Sequence, residues 1–283
     1  MKKVAIIIVN YNDSKNAIHL IKNVDKYKVI DKIIVVDNAS TDDSYKQLKK
    51  YETEKVHVLL SDNNGYSAAI NVGSKYAIKQ LKDCYLIASN TDIEISKEED
   101  IKTLLSLFEH KDVGAIMPTI IENGSHKRGW KLLSPAKDLF ISIPFISRFY
   151  KDKVLQYKDS HYTEHSSYID VVYGCLFAID SKILEKIGFL DEHVFLYYEE
   201  NILARRLLQL GKKSMISNNA FVLHKHDAVI TNQIGAYQKF RTYMHSRFYY
   251  EKTYNYANAI HMFFFHLFYY INIIPYKIKL LFK

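Results

Sequence analysis

KIIVVDNAST, Lys32–Thr41, is four aliphatic residues that break directly into a carboxylate, an amide and two hydroxyls. Three other stretches share that build: VAIIIVNYN (Val4–Asn12), VHVLLSDNNGYSAAIN (Val56–Asn71) and CYLIASNTDIEI (Cys84–Ile95). Unbroken Val/Ile/Leu runs are the mark of strands buried on both faces of a parallel sheet. In open α/β sheets the ligand lies beyond the carboxyl ends of the strands. The four polar endings therefore fall where such a sheet holds a ligand, and they point to an enzyme for a nucleotide-linked substrate.

The spacers between the runs have helical periodicity. Ser14–Lys26 carries Ala17, Leu20, Ile21 and Val24 on one face, with Ser14 as candidate N-cap. Asp42–Tyr51 reads as a helix capped by Ser40 or Thr41, and Gly65–Leu81 as a helix with Ala68, Ala69, Val72, Ala77 and Ile78 turned inward. Strand and helix in alternation imply right-handed βαβ units. A helix over Glu98–His110, a strand at Gly114–Pro118, a strand at Val171–Ile179, helices over Ser181–Ile187 and Glu199–Leu210, and strands at Ser214–Ile216 and Ala220–Leu223 come next. Residues 119–168, punctuated by Gly124, Gly129, Trp130, Pro135 and Pro144, are expected to form an irregular insertion, acceptor-facing or mobile. Residues 233–283 read as helical.

The 283 residues are 48% hydrophobic and 25% charged, an ordinary globular balance with ample core. Net charge is +8, with much of the excess near the C-terminus (Lys239, Arg241, Arg247, Lys252, Lys277, Lys279, Lys283) among aromatics. That arrangement favours an anionic membrane surface over nucleic acid. Cys84 and Cys175 are expected as buried free thiols in a reducing cytoplasm. The apolar run after Met1-Lys2-Lys3 is short and lacks a small-residue cleavage site, so it reads as the first strand and not as a signal peptide.

Five groups of residues can carry chemistry. Asp37 can accept the imide N–H of a pyrimidine ring, or merely close an Asx turn; Asn10 and Tyr11 end the neighbouring strand, where a tyrosine can stack on a base or cover the sheet end. Asn63-Asn64-Gly65 opens the helix that carries Asn71 between small residues, and neither GxGxxG nor a P-loop is present. Asn90-Thr91-Asp92 can hold a divalent cation through Asp92, or be a turn. Glu199-Glu200 opens a helix; the bland reading is a stabilised first turn, the functional one a general base. Arg205 and Arg206 come after it, to balance the acids or meet phosphate. His224 ends a late strand, with His226 beside it.

Taken in order, VNYN, VVDNAST, NNGYSAAINVG, SNTDIEI, YGCLFAIDSKILEKIGFLDEHVFLYYEEN and LHK resemble family 2 of the glycosyltransferases over about residues 1–250, nearest the bacterial rhamnosyltransferase-like branch. The resemblance implies the GT-A fold: an α/β architecture with a mostly parallel central sheet flanked by helices and a helical C-terminal extension. It divides the chain into a catalytic domain over 1–232 (donor half about 1–118, acceptor half about 119–232) and an aromatic, basic segment over 233–283. It implies inverting transfer of a sugar from dTDP-rhamnose or a UDP-hexose to a saccharide acceptor carried on a lipid, in cell-surface polysaccharide synthesis. Glu200 matches the base, with Glu199 as second choice. Asn10, Tyr11, Asp37, Asn38, Asn64, Gly65, Asn71, Asn90, Thr91 and Asp92 match the donor site. Asp92 and His224 match the ligands of Mn²⁺ or Mg²⁺, and Trp130 and Tyr198 are placed toward the acceptor. The sequence departs from the pattern at Asn90, where a carboxylate is usual, and at Glu200 and Ile202, where Asp is usual. A sugar nucleotidyltransferase and a GT-A binding protein without activity remain as alternatives.

From Thr253 to Tyr276 no residue carries a formal charge. Asn255, Asn258, His261, His266 and Asn272 punctuate the stretch, so an interfacial helix at the inner face of the cell membrane, a core or homodimer contact, and a membrane span are all open to it.

Overall fold

The computed structural model describes residues 2–162, 165–225 and 235–281. His226 and the expected domain boundary at 232/233 lie outside them. One mixed sheet, ordered β3-β2-β1-β4-β9-β6-β10-β5, organises the chain. β1 (Lys3–Asn10), β2 (Lys32–Asp37), β3 (Val56–Leu60) and β4 (Cys84–Asn90) are the four apolar runs. They pair in parallel, with Asn10 opposite Asp37 and Val9 opposite Asn90, so their polar ends share one rim. α1 (Ser14–Asp25), α2 (Ser44–Leu48) and α3 (Tyr66–Leu81) are the crossovers. Gly73 shows why α3 carries small residues: a Cβ there would lie 2.5 Å from Ile7 and 3.1 Å from Val36. The helix starts differ from expectation. Asp13, not Ser14, stands at the N-cap of α1, and α2 begins only at Ser44, because Ser40 and Thr41 are bonded to Asp37 and Asn12.

Beyond β4 the chain reverses direction. β5 (Ile93–Glu94), α4 (Glu98–Ser106) and β6 (Val113–Glu122) lead into the second half. β9 (Leu176–Asp180) then inserts antiparallel between β4 and β6, with Leu176 opposite Ser89. Its entering end therefore lies beside the carboxyl end of β4, which brings Gly174 and Cys175 onto the rim. The expected strand from Val171 begins only at Leu176, because Val171 pairs with Trp130 and Gly174 lies against Glu200 before the chain joins the sheet. α7 (Ser181–Lys186) and α8 (Glu199–Gln209) precede β10 (Lys213–His224), which is one strand with a register shift between Ser217 and Phe221. β10 is parallel to β6, and its last residue, His224, pairs with Ile93.

The described residues of the region expected to be irregular form regular elements. They include the short strands β7 (Ser125–Lys127) and β8 (Ser166–Ile169) and the helices α5 (Pro135–Phe140) and α6 (Pro144–Leu155). Both prolines stand in the first turn, where a missing N–H costs no helical bond and φ is already set. They start helices instead of breaking them.

One core cluster runs through the sheet and its crossovers. A second, of Val194, Ile202, Tyr250 and Tyr254, joins α8 to α9 (Ala236–Thr253). Arg247 on α9 is buried and bonded to Asp138 of α5 at 3.0 Å. α10 (Ala259–Leu281) packs on α9 and α5. Both cysteines are buried and free. Among the described residues no helix is long and apolar enough to cross a membrane.

Candidate active site

The loops after β1 and β2 are laced together. Asn10 Nδ2 donates to Asp37 Oδ2 at 2.8 Å, Ser40 donates to Asp37 from both its N–H and its hydroxyl, and Asn12 Oδ1 accepts the Thr41 N–H at 2.7 Å. Asp37 is fully buried and closes the Asx turn. Asn38 is tied to Asn63 and Ser61. Asn10 Oδ1 is buried without a partner among the described residues, facing the same loops. Tyr11 is half-buried there and Asn64 is exposed. Gly65 (φ 102°) abuts the Phe195 backbone, where a Cβ would meet the carbonyl oxygen at 2.3 Å.

Two expected contacts are spent on the protein instead. Asn71 is buried in α3; its Nδ2 donates to Leu190 O and Glu192 Oε1, and its Oδ1 accepts the Leu190 N–H. It fastens the segment leading to Glu200 instead of presenting its amide to a ligand. Arg205 and Arg206, both half-buried, turn away from the acidic pair. Arg205 donates to Tyr250 Oη, Leu133 O and Asn255, and Arg206 to Tyr254 Oη, Phe189 O and Asp191. Asp191, bonded to Tyr249, Tyr254 and His193, is held down to about 2 by those donors despite its burial. Both arginines clamp the last turns of α9 onto α8.

Asp92 and His224 do meet. His224 Nε2 lies 3.3 Å from Asp92 Oδ2, its Nδ1 lies 3.0 Å from Glu122 Oε2, and the Lys225 N–H donates to Asp92 O. Burial pulls the imidazole pKa down, but the two carboxylates outweigh it and hold it above its ordinary value. Thr91 donates to Asp13 at 2.5 Å. Asp92 Oδ1 is buried with no partner among the described residues, and no cluster of three or more His, Cys, Asp or Glu side chains among them is arranged to hold a metal. An orphaned carboxylate oxygen beside an imidazole fits a hard cation that takes its remaining ligands from phosphate, not one enclosed by protein.

The acidic pair comes to the same rim. Gly174 approaches Glu200 so closely that a Cβ would lie 2.3 Å from Oε1, and its N–H is bonded to the carboxylate. The next residue, Cys175, accepts the Asn90 N–H at 2.9 Å. Two short backbone links thus connect the base candidate to the end of β4. Tyr66 reinforces them by donating to Gly174 O at 3.0 Å. Tyr197 and Tyr198, just before the pair, take left-handed φ values of 72° and 69°, a conformation that such residues hold only when their surroundings impose it. Burial raises both acids: Glu200 is pushed up to about 7, against the pull of the backbone N–H groups, and Glu199 is held well above its ordinary range by its burial and by the neighbouring charge of Glu200. Both carboxyls of the pair are thus biased toward their protonated forms.

Glu200 faces a cavity of about 820 Å³ between α5, α6, α9 and α10. Trp130, edge-on to Tyr173, and Tyr198, bonded to Tyr243, line it with Lys127, Lys131 and Lys151. Sequence reasoning reached Trp130 and Tyr198 but missed Gly174, Tyr66, Glu122 and the lysines. Gly174 had the one available signal, a glycine inside the expected strand Val171–Ile179, where it weakens a strand and marks close backbone approach; Glu122 is legible only from the pairing of β6 with β10.

The fold is that of GT-A enzymes. A structure of GalNAc-T7 with UDP, GalNAc and Mn²⁺ superposes with a TM-score of 0.62 at 15% identity, covering 79% of this chain and 44% of that one. A mannosyltransferase from Pyrobaculum calidifontis in complex with GDP-Man and Mn²⁺ gives 0.56 at 13% identity, covering 91% and 64%. The sequence pattern of glycosyl transferase family 2 matches residues 5–176, more than half of the chain, and the chain belongs to that family. The low-salt glycan biosynthesis hexosyltransferase Agl10 of Haloferax volcanii is 29% identical over 199 residues, covering 69% of this chain. This chain spans 58% of the length of that relative.

Proposed function

We propose that the chain is an inverting glycosyltransferase. It moves a hexosyl group from a nucleoside-diphosphate sugar, dTDP-rhamnose or a UDP-hexose, to a lipid-carried saccharide acceptor at the cytoplasmic face of the cell membrane, in cell-surface polysaccharide synthesis. One observation carries the reading: Glu200, with its raised pKa, lies on the cavity wall and is held by Gly174, whose neighbour Cys175 holds the strand end that bears Asp92.

The donor sits against Asn10, Tyr11, Asn38 and the Asn90–Asp92 end of β4, and the acceptor enters the cavity past Trp130 and Tyr198. Glu200 takes the proton of an acceptor hydroxyl. That oxygen attacks the anomeric carbon from the face opposite the diphosphate, the bond from that carbon to the diphosphate oxygen breaks, and the diphosphate leaves with the electron pair. The anomeric configuration inverts. A base that titrates near neutrality suits this proton transfer. Asp92 and His224 would hold a divalent cation, Mn²⁺ or Mg²⁺, which supplies charge neutralisation for the leaving diphosphate. The Mn²⁺ in both fold relatives supports that choice. Asp37, enclosed by Asn10 and Ser40, fixes the loop under the base, so a direct contact to the pyrimidine requires that loop to open.

A thermal-shift panel of UDP- and dTDP-sugars with and without Mn²⁺ tests the proposal. A ligand at about 100 times its Kd adds about 2.7 kcal/mol to stability. A clear rise in Tm for one donor, dependent on Mn²⁺, is expected; no rise with any nucleoside-diphosphate sugar would overturn it.

A further inference from the structure

We infer that α10 seats the molecule on an anionic lipid bilayer, with the mouth of the Glu200 cavity at the membrane surface. α10 has two apolar faces. The inner face packs on protein: Phe265 and Ile273 are buried, and Phe268 and Asn272 line the cavity. The outer face carries Ile260, Phe263, Phe264, Leu267, Tyr270, Ile271 and Ile274 at helical spacing, between 38% and 67% exposed. A contiguous apolar face of this kind marks an interaction site and not ordinary surface.

Three features choose the bilayer over a second copy of the chain. The composition is that of an interfacial anchor: the face begins at exposed Tyr256, α9 packed beside it carries exposed Arg241 and Lys252, and the sequence goes on to Lys277, Lys279 and Lys283. The neighbouring α5 and α6 continue the same chemistry, with Phe140, Phe149 and Tyr150 exposed beside Arg148 and Lys153. Finally, the net charge of +8 repels a second copy and attracts an anionic leaflet. With no helix among the described residues able to span, α10 lies in the interface plane. Its inner face then forms one wall of the cavity while its outer face enters the headgroup region. A glycan on a lipid carrier reaches Glu200 without leaving the membrane; only this last step rests on the glycosyltransferase reading.

The test is flotation of the full chain, without nucleotide, on phosphatidylcholine vesicles and on vesicles enriched in phosphatidylglycerol. The wild type is expected to float with the anionic vesicles. The triple variant Phe263→Glu, Leu267→Glu, Ile274→Glu alters only exposed positions, and is expected to lose vesicle affinity by about 10³-fold while keeping its Tm. A wild type that stays down with both vesicles, or a variant that floats equally well, would overturn the inference. So would a wild-type dimer that the triple variant turns into a monomer while neither floats. Loss of donor binding with flotation intact would instead sink the glycosyltransferase reading alone.

Discussion

At Glu200, burial and backbone contact work in opposite directions: enclosure raises the carboxyl, while the N–H groups of Glu200 and Gly174 favour its charge. The balance near 7 fixes the sign of the pH dependence. The base acts ionised, so the transfer rate is expected to rise with pH through about 7 and then level, a limb that initial rates at saturating donor would trace. Glu200→Gln removes proton transfer and should cut kcat by roughly 10²–10⁴-fold while leaving the donor-induced Tm shift in place. Retention of most activity would move the base elsewhere. Asp92→Asn replaces the orphaned oxygen with a weaker ligand, so a Mn²⁺ titration of the UDP-induced Tm shift should need more metal for the same effect. At this scale the sequence carried residue types well and side-chain partners poorly. Asp37, Asn71, Arg205 and Arg206 all looked available for ligand, yet each is taken up by backbone or side-chain groups that come near only once the chain has folded.

Gly174 acts as a spacer between two elements. Its missing side chain lets the segment entering β9 lie against α8, and a methyl group there would meet Glu200 Oε1 at 2.3 Å. Gly174→Ala should therefore lower kcat while leaving the donor KM and the fold nearly unchanged, a split that steady-state kinetics and a melting curve would resolve. α9 depends on a different device. Burial and the neighbouring Asp138 push Glu251 up to about 9, so it is neutral when folded, whereas the unfolded carboxyl titrates near its ordinary 4.5. The folded state then binds the extra proton between those values, and stability falls as pH rises across that window. Glu251→Gln should flatten this slope in denaturant titrations at successive pH values. Arg247→Met should destabilise by about 3–5 kcal/mol, because it strands Asp138 without its partner. The apolar runs made β1 to β4 and their crossovers legible. α5 and α6 were hidden because Pro135 and Pro144 read as interruptions. A proline that starts a helix carries the same local signal as one that ends it, and only packing of the downstream turns tells the two apart.

Across the whole molecule, the reversal after β4 makes the site. Antiparallel insertion of β9 and the return of β10 parallel to β6 bring Gly174, Glu200 and His224 to the rim where β1, β2 and β4 end. Positions from Asn10 to His224 thus converge through strand order, which no local sequence pattern encodes; motif order carried that information only through resemblance. The most direct measurement is a crystal structure of the full chain with UDP or dTDP and Mn²⁺. The expected result is the cation on Asp92 and His224, with the terminal phosphate turned toward Glu200 and the Trp130 cavity. A nucleotide bound away from the ends of β1, β2 and β4, or a cation with neither Asp92 nor His224 among its ligands, would contradict the proposed site.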